Sequence, residues 1–141
     1  MKTKKIKQKL GYAGVVGVGI FLLLFVVTCS LIGHEVKIRC QEAKREYGGD
    51  CIEALIRLLN DENKSFRSRN SAIWALGQLG DSRALPVLQS YYTVQIPARE
   101  PQDKAISQYE LKKAINLTSG GFNLSAIVWR KRTCANIKEA P

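Results

Sequence analysis

The chain has 141 residues, 45% hydrophobic and 24% charged, with 11 Gly, 4 Pro, 4 Cys, a single His and a net charge of +10. This composition belongs to folded protein and excludes a disordered, collagen-like or Pro-rich chain. One histidine also excludes a His-rich metal site and a zinc site built from Cys and several His. The charge is unevenly placed: Lys2, Lys4, Lys5, Lys7 and Lys9 stand in the first ten residues with no acid among them. The other 17 basic residues face all 12 acidic ones, which leaves the remainder at only +5.

Between Lys9 and His34 no side chain is charged. Gly11 to Gly33 reads GYAGVVGVGIFLLLFVVTCSLIG, 23 residues, about 35 Å long as a helix and enough to cross a bilayer core of about 30 Å. A helix this long and apolar on every face is too large for a small core to cover. The preceding lysines hold the N-terminus in the cytoplasm, so the C-terminal part is expected outside it, periplasmic or extracellular. The run exceeds the ~7–15 apolar residues of a signal peptide and lacks an A-x-A-like site, which favours an uncleaved single-pass anchor. Secretory cleavage stays open, as does lipidation: Val26-Val27-Thr28-Cys29 resembles a lipoprotein lipobox but has Thr28 where Gly or Ala belongs.

The rest of the chain carries helical periods. Val36, Cys40, Ala43 and Tyr47 form one stripe, ended by Gly48-Gly49. Asp50 is an N-cap with Glu53 three residues on, opening a helix that buries Ile52, Leu55, Ile56 and Leu59. After the polar turn 60–65, a third helix from about Arg67 to Gly80 buries Ala72, Ala75, Leu76 and Leu79. Asp81-Ser82 caps a fourth, with Ala84, Leu85, Leu88 and Tyr92 inward and Pro86 near its first turn. Thr93 to Asp103 has two prolines and no period, and reads as a loop. Ser107 and Glu110 make a capping box for a fifth helix, flanked by Ile106 and Leu111 at the staple positions and stopped by Gly120-Gly121. Phe122, Ala126 and Trp129 fit a last short helix, with a strand as the alternative. The expected division is a basic flank (1–10), an anchor (11–33), a helical domain (34–130) and a loose tail (131–141).

Paired helices reveal a repeat. EALIRLL at 53–59 matches RALPVLQ at 83–89, and WALGQLG at 74–80 matches KAINLTSGG at 113–121 more weakly. Two helices per period of this size indicate an α-solenoid. The run from Ile73 to Leu88, IWALGQLGDSRALPVL, resembles the AxALGxLGDxRALPxL pattern of HEAT repeats, in the short form also found in phycobilin lyases. Arg69 occupies the usual arginine position of that pattern, and Ser68 replaces the usual valine. The resemblance covers about Asp50 to Tyr92 and, with the apolar run, identifies the chain as a small membrane-anchored bacterial member. It implies an all-α fold: an N-terminal transmembrane helix followed by a short HEAT-like α-α solenoid. It also implies a surface for binding proteins rather than a chemistry.

No residue is assigned a catalytic role, and no metal or cofactor is expected. His34 stands alone at the membrane boundary, and the capping carboxylates already have structural reasons. There is no Gly-rich phosphate loop, G-x-S-x-G or C-x-x-C. Cys40 and Cys51 are the disulfide candidates, because exposed thiols outside the cytoplasm tend to pair. An ideal antiparallel hairpin instead sets Cys40 opposite about Arg57, so pairing requires a steep crossing or an early helix end. Trp74 lies off the buried stripe, either packed beneath the preceding helix or exposed as an anchor. An adaptor would use the uncovered solenoid face, with Trp74, Gln78 and Arg99 as partner-binding candidates. The function these features suggest is a membrane-anchored scaffold for an unknown protein partner. The alternatives are a bilin-lyase-related chromophore-binding protein and, against the modest charge of the domain, a nucleic-acid binder.

Overall fold

A computed structural model of the chain describes residues 2–97, 100–101 and 103–130. It is all-helical, with no strand among the described residues: α1 (Lys2–Tyr47), α2 (Cys51–Asn60), α3 (Phe66–Leu79), α4 (Leu85–Tyr91) and α5 (Gln108–Thr118), then a last helix, α6, covering residues 124–130. The loose-tail expectation lies outside the described residues.

The apolar run and the first amphipathic stripe are one helix. A single Gly33 between them costs about 1 kcal/mol of helix propensity, too little to stop a helix with no proline nearby. Residues 14–24 of α1 are bare, with Val15 73% and Leu23 64% exposed, whereas Val36, Cys40 and Ala43 are buried. Gly48 and Gly49 then take the positive φ values (66° and 74°) that reverse the chain. Asp50 accepts from the Glu53 amide at 2.8 Å to open α2. Ser65 accepts from the Ser68 amide to open α3, and Gly80, in the left-handed conformation, closes it.

The expected fourth helix is divided. A turn of 3-10 helix at Ser82–Ala84 precedes α4. Pro86 has no N–H to offer the Ser82 carbonyl four residues back, so that carbonyl accepts from Leu85 instead, in the tighter geometry. Tyr92 falls just past α4 as its C-cap. The segment after Gly121 is helical rather than extended, and Phe122 lies outside its buried stripe, 78% exposed.

Helices α2–α3 and α4–α5 are two pairs, and the second half of α1 packs on both α2 and α3. It occupies the place of a preceding repeat's second helix. One layer therefore holds α1, α3 and α5, and the other holds α2 and α4. Leu55, Leu59, Ile73, Leu76, Leu88 and Leu111 form the fully buried centre. Gly77 sets the closeness of α3 to α5: a Cβ there would lie 2.8 Å from the Ala114 Cα. A smaller core joins α6 to α1, with Val36, Ala126 and Trp129 buried together.

Polar side chains hold the irregular parts. The Glu100 carboxylate accepts from the Gln108 and Tyr109 amides at 2.9 and 3.2 Å and from the Ser107 hydroxyl at 2.5 Å. This seats the Pro-containing loop on the positive end of α5. Asn70, buried on α3, donates to the Ala105 carbonyl and accepts from the Ser107 amide, both at 2.9 Å. Arginines close three successive helix ends: Arg57 donates to Tyr47 O, Arg69 to Leu59 O and Arg130 to Gln78 O. Each cation meets the negative end of a helix.

Candidate interaction groove

The layer of α1, α3 and α5 presents two adjoining grooves that share Trp74 and Glu110 as walls. One, about 320 Å³, is bounded by Glu35 and Arg39 of α1, Arg67, Asn70 and Ser71 of α3, and Glu110 of α5. The other, about 220 Å³, runs from Trp74 over Gly77 and Gln78 to Lys113 and Leu117. Gly77 and Ala114 make the floor of the second groove low, because neither carries a side chain beyond Cβ.

Trp74 is half-buried and flanks both cores, so one part of the indole packs and the other forms the ridge between the grooves. Its position off the α3 stripe has this consequence: the stripe of Ala72, Ala75, Leu76 and Leu79 faces inward, and Trp74 is turned to the layer's open face. Gln78 lines the second groove but also accepts from the Asn123 side chain at 3.1 Å, tying the start of α6 to α3. Arg99 lies outside the described residues.

The rim is charged with both signs. Arg39 donates to Glu35 at 2.7 Å and to Glu42 at 3.2 Å, and Lys113 faces Glu110 at 3.6 Å. These pairs are largely solvated and add little to stability. They set the pattern of charge a ligand would meet. Glu35, Arg39, Arg67 and Glu110 were not legible as a group in the sequence. The Glu35–Arg39 spacing of four was the available signal, and it requires knowing that α1 continues unbroken past Gly33.

Cys40 and Cys51 have Cα atoms 5.2 Å apart with their sulfurs in bonding contact. Helix α1 does not end early, so the approach comes from the way α2 returns across it after the two glycines. Cys29 is a buried free thiol. Near the start of α2, Arg83 lies between the two equivalent capping aspartates, donating to Asp50 at 2.5 Å and to Asp81 at 3.0 Å. Hydrogen bonding to Arg83 holds the Asp81 carboxyl below the ordinary carboxylate range. Burial pushes Asp50 upward, but the Glu53 amide and Arg83 outweigh it, and the net shift is also down. Among the described residues, no three His, Cys, Asp or Glu side chains gather as a set that could hold a metal ion.

Residues 34–98 match the family described as HEAT repeats. The deoxyhypusine hydroxylase of Schizosaccharomyces pombe (strain 972 / ATCC 24843) is 30% identical over 94 residues, 65% of this chain. The matched stretch is 29% of the hydroxylase, so this chain spans less than a third of that relative. No solved structure matches. The paired helices, the Gly77–Ala114 approach and the family match over residues 34–98 agree on the architecture: a short HEAT-like α-α solenoid, with a long apolar N-terminal helix running into it.

Proposed function

We propose that this protein is a single-pass membrane scaffold whose HEAT-like domain holds a protein partner outside the cytoplasm. The observation that carries the reading is the Trp74 ridge between two open grooves, an aromatic anchor flanked by charges of both signs. That combination suits a polypeptide segment with one apolar side chain against Trp74 and polar neighbours on the rim. The bare apolar stretch of α1 supports the anchor. Within Gly14–Tyr47 it has a mean hydropathy of 2.8 and is 6% buried, unlike a core helix. The five lysines before it support the orientation.

The reading is of a non-enzymatic protein. The hydroxylase named above is matched over less than a third of its own length, which does not carry its reaction over to this chain. Nucleic acid is a poor fit, because the rim of the grooves mixes Glu35 and Glu110 with its cations.

The test is site-specific photocrosslinking in intact cells, with a benzoylphenylalanine at Arg67 beside the groove and at Pro86 on the other layer. A discrete protein adduct from position 67, absent from 86 and lost on Trp74→Ala, is the expected result. No adduct at 67 beyond that at 86 overturns the assignment. A reporter fused after Pro141 checks orientation: activity of a cytoplasm-only reporter there sinks the localisation.

A further inference from the structure

Helix α6 has two faces. Ala126 and Trp129 are buried against α1, whereas Leu124 and Ile127 are 52% and 57% exposed, with Phe122 just before them at 78%. Three large apolar side chains within six residues are a patch that water does not favour. Its depth is fixed by Trp129. The Trp129 Cβ lies 2.8 Å from where a side chain on Gly33 would begin, and Gly33 is the last residue of the uncharged run. Ile127 is two residues from Trp129 and Leu124 five. Along the helix axis the rise to these residues is about 3 and 7.5 Å, and the reach of a side chain from the axis, about 5 Å, adds to it when the helix lies flat. The headgroup region extends about 5–8 Å beyond the hydrocarbon core on each side.

We infer that α6 is an interfacial membrane element, laying Leu124 and Ile127 against the headgroup and upper acyl region of the outer leaflet. This rests on the reading of α1 as a membrane span. Lipid is the occupant that the depth selects: the patch stands at the level where the exposed apolar stretch of α1 ends, with Leu31 63% and Val27 46% exposed. The domain then meets the bilayer at two places, the end of α1 and the outer face of α6. The grooves on the α1–α3–α5 layer are thereby held at a set angle to the membrane instead of swinging about a single tether.

The experiment uses the full chain in phosphatidylcholine vesicles, with Cys29→Ser and Cys134→Ser. An environment-sensitive dye is attached at single cysteines placed by Leu22→Cys, Leu124→Cys, Ile127→Cys or Tyr109→Cys. Lipids brominated either near the headgroup or deep in the chains serve as quenchers. Positions 124 and 127 should show blue-shifted emission and at least about twofold stronger quenching by the shallow bromines than position 109. Position 22 should respond to the deep ones. If 22 is quenched while 124 and 127 behave like 109, the interfacial contact is overturned and the span stands. If 22 is not quenched, the span fails and the interfacial contact with it. A blue shift at 124 and 127 without lipid quenching identifies a second copy of the chain on the patch, and also overturns it.

Discussion

Trp129 lies directly over Gly33, its Cβ and Cγ filling the space within 2.9 Å that any side chain on Gly33 would need. The glycine is therefore not incidental to an apolar run. It is the seat on α1 for the last described helix, where the apolar run meets the folded domain.

Gly33→Leu separates the two roles of this position. Leucine is at least as acceptable as glycine in a membrane helix, so insertion and topology should be unchanged. Packing should suffer: the new side chain displaces Trp129 and detaches α6, an overpacking penalty of about 1–3 kcal/mol. Hydrogen exchange on the full chain in nanodiscs should show faster exchange at residues 124–130 with protection of α2 and α3 retained. Unchanged protection of α6 contradicts the contact.

The Cys40–Cys51 pair makes a second prediction. A bond between them closes a short loop of sequence separation 11, for which chain entropy gives about 3 kcal/mol of stabilisation. Protein purified without reductant should alkylate at neither position until reduced, and reduction should lower the midpoint of thermal unfolding. Cys40→Ser should lower it equally and remove the response to reductant. Free alkylation of both thiols in the untreated protein refutes the pairing.

Local chemistry explains which parts of this fold were legible in the sequence. Asp50, Ser65 and Ser107 accept from amides three residues on, and Gly80 closes α3 with a positive φ. Interactions within four residues leave their mark on neighbouring letters. Pro86 also announced a disturbance, although its form, a 3-10 turn before α4, depended on which neighbouring amide took over the Ser82 carbonyl. The groove was hidden for the opposite reason: Glu35 and Glu110 are 75 positions apart and meet only because α1 continues beyond Gly33 to lie beside α3. The arginine closures are equally non-local. Arg69 could be placed by its position in the repeat pattern, but its donation to Leu59 O and its contact with the Tyr91 ring are tertiary facts.

Arg83 should make stability depend on acid in a definite direction. The Asp50 and Asp81 carboxyls have folded-state pKa values below their ordinary ones. Their contribution is therefore complete above the unfolded value of about 4 and is lost as pH falls through the lowered folded values. Arg83→Gln removes one shared cause, so its melting temperature should lie below that of the parent at pH 6. The gap should narrow as pH falls below the ordinary carboxylate range and the two carboxyls take up protons. Differential scanning fluorimetry across this range decides it: a gap that stays constant or widens in acid is incompatible with the bridge.

The grooves themselves yield the last prediction, a salt dependence. Their rim sets Glu35 and Glu110 among Arg39, Arg67 and Lys113, so a protein segment bound there meets attraction and repulsion in nearly equal measure. Long-range charge contributes little, and affinity should rest on burial against Trp74. Screening at 0.15 M salt already confines such interactions to about 8 Å. Raising salt from 50 to 200 mM should therefore change partner affinity by less than about tenfold, whereas binding through six or more phosphates would fall by about a thousandfold. Trp74→Ala should weaken binding at every salt concentration by about 2 kcal/mol, close to thirtyfold, as expected for an aromatic anchor. Lys113→Gln should change it only slightly. A thousandfold loss with salt, together with indifference to Trp74→Ala, would assign the surface to nucleic acid and remove the scaffold reading.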